Sequence, residues 1–359
     1  MKPRTLIGLL NIDDMRSQRK TRKKIVVIGG GTGTFTVLSG LKEYPYDLTA
    51  IVAMSDSGGS TGLLRDELGV LPPGDVRTCL IALSRSDKLM RALMSYRFEN
   101  GALQGHSFGN LLLSALEKVT GSFDAAVEKA SDILRTGGRV LPSTLDKVTL
   151  VATVGKRTIR GEEQIQQTHL NGSLKKLHLE PEGKANPKAL RAIREADVIV
   201  IAPGNLYASI IPNLLVRGIP EAIRASKAKK VFVCNLMTKV EHTHGFSVAD
   251  YVAALESYLG SPVDVVIFNN KVPSEKLRKR YAREGDTLVS WDALPQGPEL
   301  LGLNLLSRRY HATNKVGTPS VESSLVRHDP DKLAATIVGI VKRLDSSPAP
   351  RRRENATAR

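Results

Sequence analysis

Lys24 to Leu41 reads KIVVIGGGTGTFTVLSGL, and Ala53 to Gly62, soon after it, reads AMSDSGGSTG. In both places an apolar strand runs into a glycine- and hydroxyl-rich loop and then into a helix. Such a junction leaves backbone N–H groups free at the positive end of a helix, a site suited to phosphate. Two of them on consecutive strands set two anion-binding loops side by side at the carboxyl edge of one sheet. A tight turn alone would explain Gly29, Gly30, Gly31 and Gly33 in a single loop, but it explains the pair poorly. The expectation is an α/β chain with a modified Rossmann-like, mostly parallel sheet that holds a phosphorylated ligand. Gly30, Gly31, Thr32, Gly33 and Thr34 of the first loop and Asp56, Gly59 and Ser60 of the second are its candidate contacts.

The loop is not one of the common cradles. A G-x-G-x-x-G fingerprint fails, because its last position is Thr34 counted from Gly29 and Thr36 counted from Gly31. No G-x-x-x-x-G-K-[ST] run occurs, so no P-loop lysine argues for an ATPase. Asp56 stands where a dinucleotide domain keeps its ribose-binding acid, but the Gly58-Gly59-Ser60-Thr61-Gly62 run behind it serves no ribose clamp.

A chain of 359 residues with 41% hydrophobic and 25% charged residues can bury a full core as one large domain. Aromatic residues make up only 4%, which disfavours a base-stacking platform for single-stranded nucleic acid. The net charge of +16 divides unevenly: +6 in residues 1–24, +3 in residues 349–359 and +7 in the body between. Much of it therefore sits in a basic lead (1–23) and a disorder-prone tail (347–359), and the rest suits an anionic small molecule as readily as nucleic acid. Cys79 and Cys234 lie in apolar segments without C-x-x-C spacing and read as buried reduced thiols. The apolar run Leu6 to Leu10 is too short for a signal peptide, and no segment approaches the roughly 20 apolar residues of a membrane span. A cytoplasmic protein is expected, with Met1 or Met15 as its start.

Strands are predicted at 24–28, 48–54, 197–202, 230–234 and 263–268. Helices are predicted from Thr34 to Lys42, across Asp75 to Phe98, from Leu111 to Val119, after an N-cap at Ser122, and from Asp331 to Lys342. Between Asp146 and Leu179 the pattern changes to short alternating runs with Gly155, Gly161 and Gly172 as turns. This is a β-rich insertion at about 145–180 within a domain of 24–346.

Further polar strand ends converge on the same edge: Gly204-Asn205 after the third strand, and Asn235 with Lys239 after the fourth. Asn205, Asn235 and Asn110 each fit a helix cap as well as a ligand contact. Asp56 is the leading acid for a metal ion or a hydroxyl, and helix capping is its alternative. Asp75 and Arg77 read first as a structural ion pair. His242 and His244 lack a third ligand at zinc spacing and read as a solvated loop, and no metal ligand set is assigned. Within the basic run SEKLRKRYAR, a solvated charged face is the default, although Tyr281 suits stacking on a base and Arg327 suits a phosphate.

Six blocks taken in order, VVIGGGTGTFTVLSGL, SDSGGSTGLLRDELGVLPPGDVRTCLIAL, HSFGNLLLSAL, APGNLYASIIPNLLVRGIPEAI, VCNLMT and RHDPDKL, resemble the CofD/YvcK family from Lys24 to Leu344. NNKVPSEKLRKRYAREG and RHDPDKL place the likeness nearer the YvcK branch, the gluconeogenesis factors. The resemblance implies a UDP-sugar-binding regulator, with UDP-N-acetylglucosamine as a typical ligand, that supports cell shape and wall synthesis during gluconeogenic growth. It implies no required cofactor and a regulatory protein partner in wall synthesis. Gly30, Gly31, Thr32 and Gly33 match the family's first phosphate loop, and Tyr281 and Arg327 match positions that the branch uses for its UDP-sugar. The diphosphate is then expected on the N–H groups of 30–34 and 59–62, hydroxyls on Asn205 and Asn235, the base on Tyr281 and a phosphate on Arg327. Two departures stand out. Ser57 replaces the second acid of D-D-G-G-S-[ST]-G, and Lys239 to His244 replace a glycine and acids. The alternative is a CofD-type 2-phospho-L-lactate transferase that uses Mg²⁺ with a nucleotide diphosphate. A nucleic-acid binder rests only on the basic tails, and self-association is left open.

Overall fold

The computed structural model describes residues 22–170, 173–283, 285–307 and 326–346. The basic lead up to residue 21, the tail from 347 and the expected turn at Gly172 lie outside the described residues. Seven parallel strands form the main sheet: β1 (Lys24–Gly29), β2 (Asp47–Val52), β3 (Gly138–Pro142), β7 (Val198–Ile201), β8 (Lys229–Val233), β9 (Val265–Asn269) and β10 (Glu299–Leu303). The insertion supplies β4 (Thr149–Val154), β5 (Arg157–Arg160) and β6 (Leu174–Glu180), an antiparallel sheet in the order β5-β4-β6.

The central strands are nearly continuous apolar runs because both faces of the main sheet are covered. Along β1, Ile25 and Val27 pack into one core with the helices Thr32–Leu41, Gly74–Leu83, Phe123–Leu134 and Pro330–Ser346. Val26 and Ile28 pack into the other with Pro187–Glu195, Ile219–Ala225, Val248–Leu259 and the insertion. The strand order is β10-β9-β8-β7-β1-β2-β3. The chain builds outward from β1 to β3, crosses back through the insertion, and builds outward again from β7. The reversal falls between β1 and β7, and the crevice above such a switch point is where ligands bind in open α/β sheets.

Two expectations on the elements change. The helical region from Asp75 to Phe98 is two helices, Gly74–Leu83 and Lys88–Ser95, with Asp87 capping the second through Met90 N–H (2.7 Å). Ser122 stands as the N-cap of the helix Phe123–Leu134, as expected, with no bond from its side chain. The edge strands β3 and β10 were not anticipated. Cys79 and Cys234 are buried free thiols, as expected.

Candidate functional site

The loops after β1 and β7 enclose a cavity of about 420 Å³. Gly29 ends β1, and Gly31 stands as N-cap of the helix Thr32–Leu41 with no side chain capping its first turn. The first turn thus keeps orphan N–H groups, and Gly30 to Gly33 line the crevice. Opposite them, Asn205 follows Pro203-Gly204 and caps a π-helical turn, Leu206–Ile210, its Oδ1 accepting from Ala208 N–H (3.3 Å). The buried Asn213 Nδ2 donates to Gly29 O (3.2 Å) and to Ser209 O (3.0 Å), fastening this turn to the end of β1.

The first loop from Gly30 to Gly33, together with Asp56, Gly204, Asn205, Asn235, Tyr281 and Arg327, lines this one cavity. Thr34, Gly59, Ser60 and Asn110 do not. Thr34 is fully buried. Gly59 is exposed, and Ser60 turns away to His106 Nδ1 (3.1 Å) and Asn110 Nδ2 (3.2 Å). Of the second glycine loop, only Asp56 reaches the cavity. Asp56 does not cap the helix Gly59–Leu68, whose N-cap is Gly58. Its carboxylate accepts from Gly58 N–H (3.0 Å) and from Thr61. Asn110 is no cap either: Ser107 caps the helix Phe108–Thr120, and its Oγ accepts from Asn110 N–H.

Two predicted contacts take on a structural duty. Asn235 clasps Gly204 at two points, accepting from its N–H (3.1 Å) and donating to its carbonyl (2.8 Å). This fixes the loop that presents Asn205. Tyr281 is not a ring lying on a solvated helix face. It is 3% exposed, its hydroxyl accepts from Val326 N–H (2.8 Å), and it packs with Leu236 and Val326. This packing brings the helix Glu275–Arg283 and Arg327 to one wall.

Three acids from distant segments meet at the cavity: Asp56, Asp75 and Glu162. Asp75 accepts from Gly31 N–H, and desolvation followed by the charge of Asp56 pushes it up to about 7. Burial, again with Asp56 next, pushes Glu162 up to about 8, and Asp56 itself is raised by desolvation. Asp75 and Arg77 do not meet as an ion pair. Arg77 is 7% exposed, its Nε has no hydrogen-bond partner, and burial together with Arg97 lowers it to about 10. Among the described residues, no three His, Cys, Asp or Glu side chains converge closely enough to hold a metal by themselves.

Of the other cavity groups, Lys239 stands at the strand edge where it was expected, while Glu162, Gln166 and His328 were not anticipated. Glu162 and Gln166 come from the insertion helix Glu162–Gln166, and Lys239 pairs with the buried Asp286 (2.5 Å). His328 is held neutral because burial lowers it to about 4. His242 is buried rather than solvated, its Nε2 facing Ile165 O (2.8 Å) and its Nδ1 facing Asn205 Oδ1 (3.0 Å), while His244 is exposed. Nothing local marks these residues, because they come together only through the crossover and the loops after β8 and β9.

A doubly wound parallel sheet with an uncapped glycine loop at its switch point defines an α/β protein whose crevice lies where such sheets place their ligand sites. Within that class the chain belongs to the CofD family, whose model, described as 2-phospho-L-lactate transferase CofD, matches residues 25–309. A Thermotoga maritima protein is 43% identical over 318 residues, 88% of this chain and 98% of its own. A Bacillus subtilis protein named gluconeogenesis factor is 38% identical, covering 89% of this chain and 99% of its own. The crystal structure of a UPF0052-family protein from Bacillus halodurans superposes with a TM-score of 0.79 at 38% identity, over 89% of this chain and 99% of that one. No helix among the described residues is long and apolar enough to cross a membrane.

Proposed function

We propose that this protein binds a UDP-sugar in the switch-point crevice and acts as a regulator of cell shape and wall synthesis under gluconeogenic growth. The observation that carries the reading is the convergence of four separate parts on one cavity. These are the uncapped loop Gly30–Gly33, the Asn205 turn, Tyr281 and Arg327. The loop N–H groups would take the diphosphate and Arg327 would reinforce them, since guanidinium and phosphate form charge-assisted pairs. Tyr281 would present its ring to the base, and the amide nitrogen of Asn205 would meet a phosphate or sugar oxygen. The gluconeogenesis-factor name of the Bacillus subtilis relative supports the gluconeogenic part of the reading. Calorimetry with UDP-N-acetylglucosamine should show binding that Tyr281→Ala and Arg327→Ala each weaken at least tenfold. Undiminished affinity in both variants would remove these residues from the site.

A second reading, a transferase acting on a nucleotide diphospho-ester, is favoured by the acids. Asp75 lies within reach of the Asp56 charge beside a loop suited to phosphate, Arg77 and Arg65 offset the pair only in part, and a divalent cation relieves such a cluster. They fit Mg²⁺ with a diphosphate completing its shell, and the ion would supply charge neutralisation at the transferred group. Asp75 would also hold the Gly31 end of the loop, and Asp56 would orient an acceptor hydroxyl. Mg²⁺-dependent product formation that is lost in Asp56→Asn would favour this reading over the first.

A further inference from the structure

His242 joins the insertion to the crevice, and its two ring nitrogens meet conflicting demands. Nε2 lies 2.8 Å from the carbonyl oxygen of Ile165, an atom that only accepts, so Nε2 carries a proton. Nδ1 lies 3.0 Å from Asn205 Oδ1, which also only accepts, so this contact needs a second proton and a charged ring. Asn205 Oδ1 accepts in addition from Ala208 N–H, so the amide nitrogen is the atom left for the cavity that Asn205 lines.

With a neutral ring, the lone pair of Nδ1 faces the amide oxygen and repels it. The amide then turns over, its nitrogen donates to Nδ1, the Ala208 cap is lost, and an oxygen faces the crevice. One orientation offers a donor to an anionic ligand, and the other offers an acceptor. We infer that an anionic ligand bound beside Asn205 selects the donor orientation and thereby takes up a proton at His242, so that ligand binding and imidazole protonation are one linked event. His242 is a positioning residue in this scheme, acting through Asn205. The inference rests on the proposed binding of a diphosphate ester in this crevice.

The groups around the ring set the free state. Burial lowers His242 below its ordinary range, Ile165 O and Glu241 oppose this, and Lys239 and His169 add to it. The Tyr207 ring stands edge-on at 6.2 Å. Glu162 lines the cavity from the insertion helix that also carries Ile165, and Asp286 holds Lys239. Burial thus favours the neutral ring before a ligand binds, whereas the donor orientation of Asn205 requires the charged one. The linkage has a definite sign: a group whose bound-state pKa is raised strengthens binding at low pH, and the gain is lost as pH rises through that value.

The test is calorimetry with UDP-N-acetylglucosamine in buffers of different ionisation enthalpy, from pH 6.5 to 8. Its diphosphate diester does not itself titrate in this range. Asp75 and Glu162 take up protons beside an anion as well, so the signal assigned to His242 is the part that His242→Gln removes. The expected result is net uptake at pH 7.5 that falls in the variant. The share of the pH dependence that His242→Gln removes should amount to up to about a tenfold rise in affinity per pH unit lowered, the limit for one proton. A second readout needs no variant in its final titration. The ¹⁵N shifts of His242 in histidine-labelled protein should report a neutral ring in the free protein at pH 7.5 and a charged ring in the complex. A ring that stays neutral on binding, or equal uptake in wild type and His242→Gln, overturns the linkage and leaves the ligand reading intact. If UDP-N-acetylglucosamine does not bind, the ligand reading fails, and GDP-mannose, another diphosphate diester, is used for the same ¹⁵N measurement. Absence of binding by both overturns the linkage too.

Discussion

Gly33 lies in the first turn of its helix, outside the left-handed region, so backbone conformation does not demand glycine there. Proximity does: a Cβ at this position would stand 1.6 Å from the Pro203 carbonyl oxygen. The starts of the two crevice loops touch backbone to backbone, and only a residue without a side chain permits it. Gly33→Ala should lower unfolding stability by about 1–3 kcal/mol in urea titration and weaken UDP-N-acetylglucosamine binding, because the two loops must part. Unchanged stability would show that the contact relaxes freely. The glycine run was legible as a loop, but the reason for each glycine was not, since Pro203 is 170 residues away in the chain. The same distance hid the duty of Asn235: a strand-end asparagine reads as a cap or a ligand contact, and its clasp on Gly204 exists only across two neighbouring strands.

Among the elements, the central strands were readable because burial on both faces leaves an uninterrupted apolar run. The edge strands β3 and β10 were not. Each pairs on one side only, and Pro142 and Gly302 break their patterns. Gly302 has its own reason, since a Cβ there would lie 2.7 Å from the Phe268 ring of the neighbouring strand. The π-helical turn Leu206–Ile210 was also invisible, because its geometry is held by a residue outside it. Asn213 is fully buried and its Nδ2 carries the bonds to Gly29 O and Ser209 O. Asn213→Leu should cost about 1–3 kcal/mol by denaturant titration, the penalty of leaving buried carbonyls without a donor. A neutral result would mean that the turn is held by packing alone.

Across the molecule, Asp56 stands past the end of β2, Asp75 on the helix Gly74–Leu83 and Glu162 in the insertion, and only folding gathers them. The unfolded chain holds Glu162 near its ordinary value of 4.5, and the native protein raises it to about 8. The native state therefore binds the extra proton, and the stability this contributes is complete below about 4.5 and lost as pH rises through about 8. Glu162→Gln removes the charge that must otherwise form in a desolvated cavity. Its thermal midpoint should exceed that of the wild type at pH 8.5, and the difference should shrink toward pH 4.5. A constant difference across that range would contradict the shift. The α/β class, the switch of pattern at the insertion and the family blocks were legible at this scale. That the insertion reaches into the crevice was not, because its own sequence shows only a small sheet with turns. The crossover that carries it joins the two halves of the sheet, and its polar cavity-lining groups stand outside the core that Leu150, Ile165 and Leu177 share with Val26 and Ile28. Glu162, Gln166 and the Ile165 carbonyl thus form an exchangeable cartridge: a descendant could alter what one wall of the crevice prefers, or whether it senses acidity at all, without touching the strands that make the protein fold.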